Sequence, residues 1–394
     1  MFQRAIVKDI EEFIGRNESL VQVIVGPRQV GKTTAARQLA EKLGWPTVFA
    51  AADVSPPPGP EWIESQWQLA RMKARESSSP VLLVLDEIQK VRGWSETVKR
   101  LWDEESAFGT KVRPLLLGSS ALLVQKGLTE SLAGRFFLHR CGHWTWPECR
   151  QAFGWSLEQW LFFGGYPGAA PMIARESDWK RYVSDALVET VLARDVLQLQ
   201  TIAKPALLRH LFGLAASLPA QIVSYNKMLG QLQDAGNTTT LAHYVRLLET
   251  AFLLSGLELH SPDLVRKRGS SPKLVLWNNA LVTALSLKSY SDFEADPAWR
   301  GRLVENAVGA HLLSGLNGPE WSLSYWRSAS MEVDYIVRHG QDVWAIEVKS
   351  GRSGRKAGLE YFKKQYPKAR ILIVGAEGIP LEEFFSYPAI QWFL

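Results

Sequence analysis

The chain has 394 residues, of which 46% are hydrophobic and 22% charged, and its formal net charge is +5. That is ample for a buried core but too long for one typical domain of about 100–200 residues, and the charged share excludes a disordered chain. Two cysteines, Cys141 and Cys149, exclude a disulfide framework and point to a reducing cytoplasm, while the absence of any long apolar run excludes a signal peptide at MFQRAIVKDIEEF and a membrane span.

In chain order, the first expected strand is Val21–Gly26, a β-branched apolar run closed by glycine. A helix is expected over Lys32–Leu43, and further strands at Thr47–Ala51, Val81–Leu85 and Pro114–Leu117. Strands alternating with helices indicate an α/β fold with a parallel sheet. The turn between first strand and first helix reads Gly26-Pro27-Arg28-Gln29-Val30-Gly31-Lys32-Thr33, with Thr34 following, and fits GxxxxGK(S/T) without departure. Glycines let the backbone wrap a phosphate with inward N–H groups, and the helix adds its positive dipole end. Lys32 is then placed for the β- and γ-phosphates of ATP, and Thr33 for Mg2+.

The strand ending at Leu85 carries Asp86 and Glu87 to its carboxyl end, where ligands of open α/β sheets bind. Asp86 is assigned to Mg2+ and Glu87 to the water that attacks the phosphate. Ser119 and Ser120 follow the next strand, either to sense the γ-phosphate or to cap the helix starting at Ala121. Arg135 offers positive charge to the transition state, in cis or across subunits of a homo-oligomer, unless it is a surface arginine in a salt bridge. His139, Cys141 and His143 alternate with Cys149 nearby, but without a CxxC pair or a helical HxxxH, ordinary packing is the expectation rather than zinc.

After Gly164-Gly165-Tyr166-Pro167-Gly168 the chain reads as helical over Asp178–Leu199, Lys204–Ser217, Val223–Leu232 and Asn237–Leu254, with a short strand near Leu257–Leu259. This order suggests a winged helix-turn-helix or, failing that, a protein-contact helix pair. The candidate recognition helix holds His243, Tyr244 and Arg246, few cations for DNA. Further on, Leu303–Leu313 reads as a helix carrying Glu305. Ser322–Trp326, Met331–Arg338 and Val343–Lys349 read as strands, and Gly354–Gln365 as a helix. Glu347 and Lys349 share one strand face, and Asp334 can approach from the adjacent strand. Two carboxylates and a lysine are what metal-dependent phosphodiester cleavage with Mg2+ or Mn2+ needs, with Glu305 close by; a salt bridge on a solvated face is the alternative. Lys349, Arg352, Arg355, Lys356, Lys363 and Lys364 form a basic stretch suited to a phosphate backbone.

Across nearly its whole length the chain resembles the prokaryotic AAA-type ATPases with a C-terminal domain of unknown function 4143. The motifs are GPRQVGKTT (Gly26–Thr34), LDEIQKVRGW (Leu85–Trp94), LLGSSALL (Leu116–Leu123), SLAGR (Ser131–Arg135), FGGYPGA (Phe163–Ala169), TTTLAHYVRLLE (Thr238–Glu249), RLVENAV (Arg302–Val308) and IEVKSG (Ile346–Gly351). The resemblance implies a P-loop AAA-type parallel sheet, a helical, winged-helix-like middle and a C-terminal α/β domain of the PD-(D/E)xK nuclease-like type. The corresponding division is 1–155, 156–260 and 261–394. Family members often carry Asp and Gly where this chain has Asn278 and Ala280. Two functions follow: Mg2+-dependent ATP hydrolysis coupled to binding or cleavage of nucleic acid, DNA rather than RNA, or an ATP-driven switch whose C-terminal domain is a non-catalytic partner-binding module.

Overall fold

The computed structural model describes residues 2–16, 20–108, 111–119, 127–128, 131–196, 202, 204–232, 236–261, 270–351 and 357–394. The chain divides into two compact units, residues 1–142 and 143–394.

In the first unit, α1 (Ala5–Arg16), β1 (Val21–Val25), α2 (Lys32–Leu43), β2 (Thr47–Ala51), α3 (Pro60–Glu76), β3 (Val81–Asp86), α4 (Trp94–Phe108), β4 (Val112–Gly118) and β5 (Phe136–Arg140) follow one another. The strands form a five-stranded parallel sheet in the order β2-β3-β4-β1-β5. Every residue of β1 and β3 is buried. Strands covered on both faces read as nearly continuous apolar runs, which is why these two were conspicuous. One cover is α3, which buries Ile63, Trp67 and Ala70, spaced to lie on one helical face. Because β1 is inserted between β4 and β5, the carboxyl ends of β1, β4 and β3 lie in succession along one edge of the sheet. Ligands of open α/β sheets bind along that edge. Helix α2 begins and ends where expected, stopped by Gly44 in the left-handed conformation.

The second unit opens with helices Trp146–Phe153 and Leu157–Phe163, each started by a capping box, at Thr145 with Glu148 and at Ser156 with Gln159. The helix expected over 178–199 is not a regular α-helix. An α-turn at Glu176–Arg181 widens into π-helical turns at Tyr182–Val188 and Val191–Val196, and residues 197–199 lie outside the described set. Helices Pro205–Ser217, Tyr225–Gln231 and Thr238–Thr250 come next. The last ends four residues before the expected Leu254. Phe252 takes a positive φ of 57°, and β6 (Leu254–Leu257) begins directly afterwards, earlier than the strand read near 257–259. β6 pairs antiparallel with β7 (Lys273–Leu276), and Ile222 bridges to Lys273 on the other side.

The remaining sheet has the order β11-β10-β9-β8, built from β8 (Trp321–Ser328), β9 (Met331–His339), β10 (Asp342–Lys349) and β11 (Arg370–Gly375). It is mixed: β8, β9 and β10 are antiparallel neighbours, and β11 joins β10 in parallel. Helix Ala357–Gln365 supplies that crossover; 354–356 of its expected span lie outside the described residues. Val333, Ile336, Ala345, Leu359 and Phe362 form the core beneath it. The long helix Pro297–Gly315 contains the expected 303–313 and is capped by Asp296. It lies close on β9 because Gly309 has no side chain: a Cβ there would stand 2.5 Å from the Tyr335 hydroxyl. Among the described residues, no helix is long and apolar enough to cross a membrane.

The first unit should lose stability with acid through His139. Burial holds this imidazole down to about 4, below the ordinary 6.5, with its Nε2 2.8 Å from Gln22 Oε1. The unfolded chain takes up the proton first, so the stability this group contributes is present above pH 6.5 and is lost as pH falls through about 4. Chemical denaturation at a series of pH values should show a shallower acid loss for His139→Gln. An unchanged slope would remove His139 as a cause.

Candidate functional site

The nucleotide-type site grows from the end of β1. A Cβ on Gly26 would fall 1.9 Å from the Cys141 carbonyl oxygen, so only glycine fits there. Gln29 (φ 62°) and Gly31 (φ 89°) then take left-handed conformations. Such turns direct successive N–H groups to one side and form an anion-binding concavity. Gly31 caps α2 without any side-chain bond, leaving the helix's first N–H groups for a ligand. Pro27 and Val30 are buried, Arg28 is half-buried, and Gln29 and Thr34 are exposed.

Lys32 is buried, and its Nζ donates to the Gly26 and Pro27 carbonyls at 3.0 and 2.6 Å. Burial draws this ammonium below its ordinary pKa, opposed by Cys141, Glu87 and Asp86. Thr33 Oγ1 donates to Asp86 Oδ2 at 2.7 Å, joining the start of α2 to the end of β3. Burial raises the Asp86 carboxyl, with the Thr33 bond acting against it. Asp86 Oδ1 accepts from the Glu87 N–H at 2.9 Å. Glu87 itself has φ 53°, a conformation uncommon outside glycine and frequent at functional sites. Its Oε2 accepts from Gln89 Nε2 at 2.7 Å and from Ser119 Oγ at 3.1 Å. The structure thus brings Lys32, Thr33, Asp86, Glu87 and Ser119 together; Ser120 lies outside the described residues.

Two participants escaped the sequence reading. Gln89 stands inside the LDEIQK segment two residues after Glu87, a signal that was available. Arg4 had none: from before α1 it donates through Nη1 to the Val30 and Gly142 carbonyls, both at 3.1 Å, and approaches Cys141 Sγ at the same distance.

Arg135 does not reach this site within the chain. Val21 N–H donates to its carbonyl, so it sits at the amino end of β1, roughly 16 Å of strand away from Gly26. Its Nε donates to Asp103 Oδ1 at 2.8 Å and its guanidinium lies over Trp102. The reading of Arg135 as a cis catalytic cation is therefore corrected: β5 pairs with β1 in parallel, and that register carries Arg135 to the far edge. His139, Cys141 and His143 form no metal group among the described residues. His139 pairs with Gln22, Cys141 with Arg4, and His143 with the Tyr166 hydroxyl at 3.1 Å.

In the second unit, Asp334 and Glu347 face one another across β9 and β10. Asp334 Oδ2 accepts from Val348 N–H at 2.8 Å, and Glu347 Oε1 accepts from Lys349 Nζ at 2.8 Å. Burial, then the Asp334 charge, pushes the Glu347 carboxyl up to about 7. Glu305 joins from helix Pro297–Gly315, likewise pushed up to about 7 by burial. That helix is fixed by fully buried Asn306, which donates to the Leu276 carbonyl at 3.0 Å and accepts from its N–H at 2.9 Å. Glu305, Glu332 and Asp334 offer three oxygens within 4.8 Å of one another. Two residues here were missed. Glu332 shares a β9 face with Asp334 and was legible by the period of two. Lys273 was not: it belongs to β7, and its ammonium lies 2.5 Å from Glu305, 3.5 Å from Glu332 and 3.6 Å from Asp334. Asn278, at the place of the family's aspartate, holds a turn, its Oδ1 accepting from the Gly165 and Ala280 N–H groups at 3.2 and 3.0 Å. Of the basic stretch, Arg352, Arg355 and Lys356 lie outside the described residues.

A divalent ion bound to Glu305, Glu332 and Asp334 would need their oxygens at about 2.0–2.6 Å. The centre of that triangle is next to the Lys273 ammonium, and the two cations cannot share it. As placed, the residues do not fit a divalent metal.

Residues 18–149 match the family model described as an AAA domain, and residues 300–390 match a domain of unknown function, DUF4143. Between them, residues 154–292 match a second domain of unknown function, DUF8612. The chain therefore carries a P-loop ATPase domain of AAA type and a C-terminal DUF4143 domain. An uncharacterized protein of Haemophilus influenzae is 22% identical over 386 residues, covering 91% of this chain and 90% of its own. Among solved structures, a Walker-type ATPase of Pyrococcus abyssi is 14% identical, with a TM-score of 0.45, over 72% of this chain and 96% of its own. An Aeropyrum pernix ORC1 protein in complex with DNA is 12% identical, with a TM-score of 0.30, over 73% of this chain and 92% of its own.

Arg135→Ala should cost about 1 kcal/mol of stability or less, because its ion pair is partly exposed. ATP turnover per folded molecule should stay at the wild-type level. A drop of orders of magnitude, partly rescued by mixing with Lys32→Ala protein, would instead establish a role across subunits.

Proposed function

We propose that this chain binds ATP with Mg2+ at Gly26–Thr33 and hydrolyses it. The observation that carries the reading is the 2.7 Å bond between Thr33 and Asp86 beside a left-handed glycine loop with a buried lysine. A hydroxyl and a carboxylate that already meet at a helix N-terminus are a fitting pair to hold Mg2+. When bound, the ion offsets phosphate charge. The backbone N–H groups of residues 26–31 and the first turn of α2 hold the phosphates. Lys32 exchanges the Gly26 and Pro27 carbonyls for β- and γ-phosphate oxygens. Glu87 accepts a proton at its carboxylate from the attacking water, held in orientation by Gln89 and Ser119.

The use made of this turnover belongs to residues 143–394, which we read as a partner-binding module in an ATP-driven switch. A specific observation favours DNA as the partner. Helix 205–217, the Ile222 bridge, helices 225–231 and 238–250, β6 and β7 follow the order of a winged helix-turn-helix. On its third helix His243 and Arg246 are exposed, whereas Tyr244 is buried, so two of the three residues read for contact are available.

Glu87→Gln should bind ATP with wild-type affinity and lose turnover by at least ~100-fold, the lower end of general-base contributions. Lys32→Ala should weaken binding itself. Wild-type hydrolysis by Glu87→Gln would remove Glu87 as the base. For DNA, affinity should fall steeply as salt rises, and His243→Ala with Arg246→Ala should reduce it. No binding at low salt would leave a protein partner as the surviving reading.

A further inference from the structure

We propose that the carboxylate cluster of the C-terminal unit is not a divalent-metal site, because the Lys273 ammonium is its resident cation. The proposal stands on four observations, and it does not depend on ATP hydrolysis in the other unit.

First, Lys273 has no solvent exposure at all, although it is a lysine on a short strand. Lysines are almost never fully buried unless paired. Second, its Nζ lies near three carboxylates from two elements, Glu305 on the long helix and Glu332 and Asp334 on β9. Third, the ammonium lies 4.8 Å from the centre of the Tyr335 ring, and the Tyr335 hydroxyl in turn donates to the Glu305 carbonyl at 2.7 Å. An aromatic face beside a set of carboxylates adds a cation–π attraction for the ammonium. Fourth, Glu347, the remaining member of the set that sequence reading assigned to a metal, is engaged with Lys349, and Asp334 also accepts from the Val348 N–H.

The pairing is strongly held for an electrostatic reason. Burial alone would favour a neutral lysine, but Glu305 and then Asp334 more than reverse this and lift the amine above its ordinary value. A metal could enter only by displacing a buried ammonium from its carboxylates, which would leave that charge uncompensated. That nitrogen joins β7 to helix 297–315 and to β9, alongside the Asn306 bonds to Leu276 and the Tyr335 bond to the Glu305 carbonyl.

The test uses the full chain carrying Asp86→Asn, which removes the nucleotide-side ligand, in nucleotide-free form. Mn2+ titration followed by electron paramagnetic resonance should show no saturable site. A saturable Mn2+ that disappears on adding Glu305→Gln would overturn the proposal, whatever the fate of the ATPase reading. In the same background, Lys273→Met keeps the length of the stem and removes the charge. Folded by circular dichroism, it should gain one bound Mn2+, whereas Lys273→Arg should gain none. A folded Lys273→Met chain without Mn2+ would show that the ammonium is not what excludes the metal. If Lys273→Met does not fold, the titration of the Asp86→Asn chain decides alone.

Discussion

Parallel pairing of β1 with its neighbours leaves no room for a side chain where that strand ends. Cys141 N–H donates to the Val25 carbonyl, and the Cys141 carbonyl then stands where a Cβ on residue 26 would be. The bare backbone at Gly26 starts the left-handed turns at Gln29 and Gly31, and those turns deliver Lys32 and Thr33 to the mouth of the sheet. The strand order does the rest. With β4 between β1 and β3, Ser119 lies between the phosphate loop and the acidic pair and can bond Glu87. The chemistry thus hangs on three adjacent strand ends, each brought there by a backbone constraint rather than by attraction among the side chains themselves.

The two buried lysines show how one side chain serves opposite ends. Lys32 lies against neutral carbonyls, and burial weakens its hold on the proton. Carbonyl dipoles are a modest match for a full charge, so phosphate oxygens can displace them. Lys273 lies among carboxylates that more than compensate its burial. Charge-assisted bonds in low dielectric are not readily exchanged, and removing one partner leaves an uncompensated charge. The first lysine is arranged to change partners, the second to keep them.

How much of this was legible depended on how far apart in sequence the partners lie. The phosphate loop is eight contiguous residues, and its chemistry could be read from their types alone. The apolar runs of β1 and β3 revealed strands because both are buried on each face, and the bounds of α2 follow from glycines at its ends. Arg135 misled because its motif is local while its position is set by the register of β5 on β1. The helix read over 178–199 has helical spacing, but spacing does not distinguish α from π winding. Lys273 was invisible: it stands in sequence beside other basic and polar residues at the start of an apolar run, and its partners Glu305, Glu332 and Asp334 lie 32, 59 and 61 residues further on. Asn278, where family members often carry Asp, caps backbone, with Gly164 and Gly165 folded against it.

The Arg4 clamp has a consequence in time. One guanidinium nitrogen bonds the Val30 carbonyl, 26 residues on, and the Gly142 carbonyl, 138 residues on. During synthesis at about 5–20 residues per second, Arg4 leaves the ribosome several seconds before Gly142 exists. The phosphate loop can therefore acquire its shape from β1 and α2 early, yet cannot be locked until β5 has been made and has docked beside β1. A nascent chain arrested before residue 142 would hold the loop's whole sequence without the brace that sets it.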